Sequence, residues 1–296
     1  SPLVRGAAAE ALNGYLTQES VPGLLAAAKD EYRLVRVRAA AAMAALPRES
    51  LDAESRQVLK RATDEFLTAM QTRPDDQTSH HNLGAFYAQR GDHRRAVQCY
   101  ALSHKLDPRA IPPLVNASIA YNVLGQNDEA ERCLRKALQL DPANVAVNLN
   151  FGMLLGELGR LPEAERAFRT ALESDPKSAA AAYNLGVLVA ERDLQQAIDL
   201  CRTADRLAPD EPKYAFATAC FLQRAEKIDQ AIEQLRQIVK THPGYPDGYG
   251  LLGNLLVNQG RRAEAAELYR QAAANTQLPP QARQIFQAQA EALSSQ

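Results

Sequence analysis

The segment 77–110 reads QTSHHNLGAFYAQRGDHRRAVQCYALSHKLDPRA, and its spacing returns down the rest of the chain. Proline closes a helix-like stretch at Pro74, Pro108, Pro142, Pro176, Pro209 and Pro243, at intervals of 34, 34, 34, 33 and 34 residues. Alanine keeps step at Ala62, Ala96, Ala130, Ala164, Ala197, Ala231 and Ala265. A small residue recurs at Gly84, Ser118, Gly152, Gly186, Ala219 and Gly253. Three registers in agreement make internal repetition the organising feature, and a period in this range marks stacked supersecondary units. Each unit reads as two helices. Helix formers dominate, proline cannot continue the second helix, and a small residue lets two backbones approach where the helices cross.

Composition narrows what such an array can do. Among 296 residues, 34 Lys and Arg face 35 Asp and Glu, a net charge of −1 that argues against nucleic acid or an anionic membrane as the main ligand. No apolar run approaches the roughly 18 residues of a membrane span. The four cysteines (Cys99, Cys133, Cys201, Cys220) form no CxxC or CxxCH, which excludes a zinc knuckle or attached c-type haem within the chain. His80 and His81 are helix neighbours, pointing about 100° apart, and do not suit one metal ion. His93, His104 and His242 read as surface or groove residues, and no HExxH, GxSxG, Walker A or GxGxxG occurs. No catalytic residue, metal site or cofactor is expected. Cys99 and Cys133 share a slot in adjacent units, which suggests proximity, and Cys220 is the one candidate reactive thiol.

The 34-residue unit resembles the tetratricopeptide repeat (TPR): Asn82-Leu83-Gly84, Tyr87, Gly91, Ala96, Tyr100 and Pro108 stand where that family's pattern wants them. The resemblance implies an all-α fold, a right-handed alpha-alpha superhelix, with six repeats at 77–110, 111–144, 145–178, 179–211, 212–245 and 246–279. Tyr100, Leu134, Phe168, Leu235 and Tyr269 are expected to fill the layer between helices. Repeat four lacks one turn residue and has Asp193 for the usual glycine, and repeat five is a looser fit, with Ala219 and Ile238. A helix over 281–293, within a segment 280–296, is expected to cap the array.

In TPR architecture the first helix of each repeat lines the concave face. The inward positions place Asn82, Asn116, Asn150 and Asn184 in one column, where four amides could bond the main chain of an extended peptide. That column is similar to the asparagine ladder in the TPR arm of O-GlcNAc transferase; equally, such an asparagine can bond neighbouring backbone. Val115, Ile119, Leu149, Met153, Tyr183, Val187 and Phe216 make the middle of the groove apolar, with Lys213 and Arg224 toward the late end. About half of the apolar set is expected to pack against the next helix. A carboxylate clamp needs cations where His81, Ala85, Asn116, Ala146 and Asn150 stand, so chaperone-tail binding is disfavoured.

Upstream, Leu3-Val4-Arg5 recurs as Leu34-Val35-Arg36, with Val21-Pro22-Gly23 opening a helix between them. Residues 1–47 resemble short HEAT repeats, with Asp30 and Arg36 placed for an inter-repeat hydrogen bond, and 48–76 read as a connecting helix that matches half a TPR. The expected function is a non-enzymatic scaffold for a protein or peptide partner. Two others remain open: a docking arm of a multihaem redox protein, because HEAT-then-TPR order resembles the C-terminal part of bacterial multihaem cytochromes, and the substrate-selecting arm of a glycosyltransferase. The start Ser-Pro-Leu-Val-Arg reads as the edge of a fragment, so cytoplasm and periplasm both fit, and the oligomeric state is not legible.

Overall fold

The computed structural model describes residues 1–294, and every regular element among them is helical. The chain divides into two units, 1–142 and 143–296. The first contains Pro2–Ala11 (α1), Ser20–Ala27 (α2), Arg33–Ala42 (α3), Ala53–Gln71 (α4), Gln77–Gln89 (α5), His93–Leu106 (α6), Pro112–Val123 (α7) and Asn127–Leu140 (α8). The second contains Val145–Glu157 (α9), Leu161–Ser174 (α10), Ala179–Val189 (α11), Leu194–Leu207 (α12), Pro212–Arg224 (α13), Ile228–Thr241 (α14), Pro246–Asn258 (α15), Arg262–Ala274 (α16) and Pro280–Ser294 (α17). From α5 onward the helices come in antiparallel hairpins, each packed on its successor within its unit, the all-α solenoid class that the periodicity implies.

Local chemistry sets the helix ends. Asp52, Asp76, Asp92, Asn144, Ser178 and Asp193 each accept a backbone N–H from the first turn of the helix that follows. Proline opens α7, α13 and α15, where its missing N–H costs nothing, and Pro108 lies one residue beyond the last carbonyl-capped position of α6. Between hairpin helices the chain turns through a left-handed residue at Gly91, Gly125, Gly159, Glu226 and Gly260. The shortened fourth repeat has none: Asp193 turns at φ −141° and caps α12 with its carboxylate.

Packing at each crossing matches sizes. A Cβ added to Gly84 would stand 2.5 Å from the Tyr100 ring, and one on Gly152 would stand 2.5 Å from Phe168. Ser118 and Ala219 correspond in register to the smaller Leu134 and Leu235, and at Gly186 the partner is Cys201, wholly buried. Three of the four crossing glycines thus meet a ring, and the fourth, Gly186, meets the small Cys201. Burial pushes the Cys201 thiol up to about 12, so it acts as a small apolar filler.

The N-terminal helices share a core of Leu24, Met43, Leu59, Phe66, Leu83 and Phe86, so α4 and α5 join the first three helices without an intervening linker. One detail departs from expectation. Arg36 does bond Asp30, but through the Asp30 carbonyl at 2.7 Å, while the Asp30 carboxylate takes Arg5 at 2.6 Å. Arg36 also pairs with Glu65 of α4 at 2.8 Å, which fastens α3 to the connecting helix. At the other end, Phe286 of α17 stacks on Tyr269 at 5.7 Å and covers Tyr249 and Leu278.

Candidate functional site

The first helices of the hairpins carry the candidate residues, and their periodicity decides which reach solvent. Ile119 on α7, Met153 on α9 and Val187 on α11 hold one register position, and they are 48%, 44% and 45% exposed. Large apolar side chains left in water at the same place in three consecutive hairpins are costly unless something covers them. Leu149, Tyr183 and Phe216 of the second unit stand at the register position four residues earlier and are half-buried. Val115 differs from these: at 9% exposure it is buried.

The asparagine column is only partly free. Asn150 donates its amide to the Ala146 carbonyl and Asn184 to the Ala180 carbonyl, both at 2.8 Å and both within their own helix. A carbonyl only accepts, so the NH2 group of each side chain faces its helix and the Oδ1 oxygens remain as acceptors. In the first unit, Asn116 Nδ2 lies 3.5 Å from His81 Nε2. His81 packs against Tyr100 at 5.7 Å between ring centroids, and burial holds its imidazole below the ordinary value. Asn82 is exposed and lines a hollow of about 260 Å³ with Phe66, Met70, Phe86 and Gln89.

In the second unit aromatic rings gather on α11, α13 and the turn before α15. Tyr183 and Tyr214 lie 5.0 Å apart, and Phe216 meets Tyr245 edge-on at 5.6 Å. Burial and the neighbouring Asp247 carboxylate push the Tyr245 phenol up to about 12, so it stays protonated and donates to Asp247. Tyr214 and Tyr245 escape a reading confined to inward helix positions; an aromatic residue directly before Pro246 is the available signal. Lys213 sits over the Tyr214 ring at 5.1 Å and 3.3 Å from Glu211, and Arg224 lies 3.2 Å from Glu191. These exposed pairs leave both cations able to swing toward a ligand carboxylate at little cost.

The cysteines offer no nucleophile. Burial raises the Cys99, Cys133 and Cys220 thiols, and Asp247 raises Cys220 further, while Arg224, the nearest candidate activator, is engaged with Glu191. Cys99 packs against the N-terminal core and Cys133 against the Tyr100 cluster, so the shared slot does not make them one pair of contacts. Among the described residues no three His, Cys, Asp or Glu side chains converge as metal ligands, and no helix is long and apolar enough to cross a membrane.

Known proteins share this pattern. Family models for the tetratricopeptide repeat match residues 79–110, 112–144, 149–212 and 216–283. Cellulose synthase operon protein C of Pseudomonas fluorescens (strain SBW25) is 38% identical over 73 residues, which make up 25% of this chain and 6% of that protein. The matched stretch is thus a small part of that relative's length. The solved structure of Pseudomonas aeruginosa PilF has a TM-score of 0.59 at 22% identity, over 73% of this chain and 99% of that one. Yeast Tom70 reaches 0.65 at 17% identity, over 93% of this chain and 60% of its own. At these identities the likeness to solved structures is one of fold.

Proposed function

Because the chain belongs to the tetratricopeptide repeat family, we propose that it is a non-enzymatic scaffold that holds an extended segment of a partner protein against the first helices of its repeats. The exposed Met153 and Val187, at one register of neighbouring hairpins in the second unit, carry this reading. An extended chain laid beside them would bury alternate apolar side chains there and donate its main-chain N–H groups to the Oδ1 atoms of Asn150 and Asn184. Rings at Tyr183, Phe216 and Tyr245 would take a bulky residue, and Lys213 and Arg224 an acidic one. In this reading 77–279 is the binding array, 1–47 a HEAT-like support joined through 48–76, and 280–296 a cap.

A peptide selected on the whole chain from a displayed random library supplies the test. Replacing Asn150 and Asn184 together by Ala should weaken that peptide about tenfold, two acceptors at about 0.7 kcal/mol each, while the unfolding midpoint stays put. Unchanged affinity, with Met153 still shielded from oxidation by the bound peptide, removes the amides from the mechanism.

A further inference from the structure

The second helices of the repeats hold arginine at a fixed register: Arg135, Arg169, Arg202, Arg236 and Arg270; in the first repeat the residue is Ala101. Within the second unit two of these arginines reach the next second helix, while Arg169 and Arg270 pair with Glu165 and Glu267 of their own helices. Arg202 Nη2 lies 3.3 Å from Gln230 Oε1, and Arg236 Nη2 lies 2.9 Å from Glu264 Oε2. Ala101 of α6 has no side chain to reach across. Glu129 of α8, at the register of Gln230 and Glu264, pairs with Arg132 of its own helix instead. Beside Ala101 a cleft of about 620 Å³ opens between α6 and α8. That volume lies within the range of small-ligand pockets.

The walls specify chemistry. Tyr100, Leu114, Pro113 and Tyr121 give an apolar floor, and Lys105, Arg132 and Lys136 outnumber Glu129 around it. His104 also lines the cleft and is only 8% exposed. Its Nδ1 lies 3.3 Å from the Ala110 carbonyl, which can only accept, so the proton sits on Nδ1 and Nε2 is a bare acceptor. Among the described residues nothing donates to that buried Nε2. A buried polar atom without a partner is costly, and leucine at this register in the next two repeats (Leu138 and Leu172) carries no such cost. Nε2 is therefore placed for a donor that comes from outside the chain.

We propose that the α6–α8 cleft binds a small hydroxy-substituted aromatic carboxylic acid. Its ring lies on the Tyr100–Leu114–Tyr121 floor, its hydroxyl donates to His104 Nε2, and its carboxylate faces Lys105 and Lys136. This site is separate from the peptide-binding face, and each can fail without the other.

Calorimetric titration of the whole chain with 3-(4-hydroxyphenyl)propionate and with 3-phenylpropionate tests it. Saturable one-to-one binding is expected, with the hydroxylated acid at least fivefold tighter. Ala101→Arg, which restores the residue that the five later repeats carry, should abolish binding of both acids. His104→Leu, the residue found in the next two repeats, should bring the two acids within twofold of each other, and Lys136→Gln should weaken both. No saturable binding, binding that survives Ala101→Arg in a folded chain, or a hydroxyl preference that survives His104→Leu would each overturn the proposal.

Discussion

Glycine has two unlike roles inside α9, and substituting each separates them. The Cβ of Gly152→Ala would collide with the Phe168 ring, whereas one on Gly156 meets nothing within 4 Å. Gly152→Ala should lower stability by about 1–3 kcal/mol, and Gly156→Ala should raise it by about 0.5–1 kcal/mol through reduced backbone freedom in the unfolded chain. Urea midpoints of the two variants check both signs. Glu226 is a third case: its φ of 58° suits glycine, so Glu226→Gly should stabilise by about 0.5 kcal/mol. The small-residue column at the crossings was legible because a close approach leaves room for only glycine, alanine or serine. His104 was not: one helix turn reads alike whether its outer side meets water or a cleft, and only the missing arginine at Ala101 distinguishes them.

Helices are joined by contacts whose strength depends on pH and on the last element. Arg192 and Arg169 hold the Glu165 carboxyl at about 2, against an ordinary value near 4.5. A depressed carboxylate stabilises the fold fully above its unfolded value and loses that contribution as the pH falls toward 2. Glu165→Gln should therefore cost about 1 kcal/mol at pH 7, since Arg192 is well exposed and screened, and nothing near pH 2. Thermal melts of both proteins across that range would show the gap closing. At the end of the chain, Phe286→Ala should cost about 3–5 kcal/mol and strip hydrogen-exchange protection from α15 and α16 before α9 and α10. The helix pairs and their proline-closed ends could be read from the period, but the Asp30 contact could not. A carbonyl and a carboxylate of one residue are both within an arginine's reach, and the register alone does not choose between them.

Across the whole chain, repetition is what turns single side chains into a surface. One exposed Met or Val needs no explanation, but Met153 and Val187 at one register of consecutive hairpins in the second unit form a strip that a partner polypeptide can follow. That strip could be anticipated from the 34-residue spacing. The ring cluster of Tyr214 and Tyr245 could not, because it depends on how α13 and the turn before Pro246 meet. Placing a photoreactive benzoylphenylalanine at Val187 on α11, or at the exposed Glu173 on α10, and irradiating with the selected peptide present measures which side the polypeptide occupies. Adducts from position 187 and none from 173 are the expected result; adducts from 173 with none from 187 would contradict a scaffold that binds through its first helices.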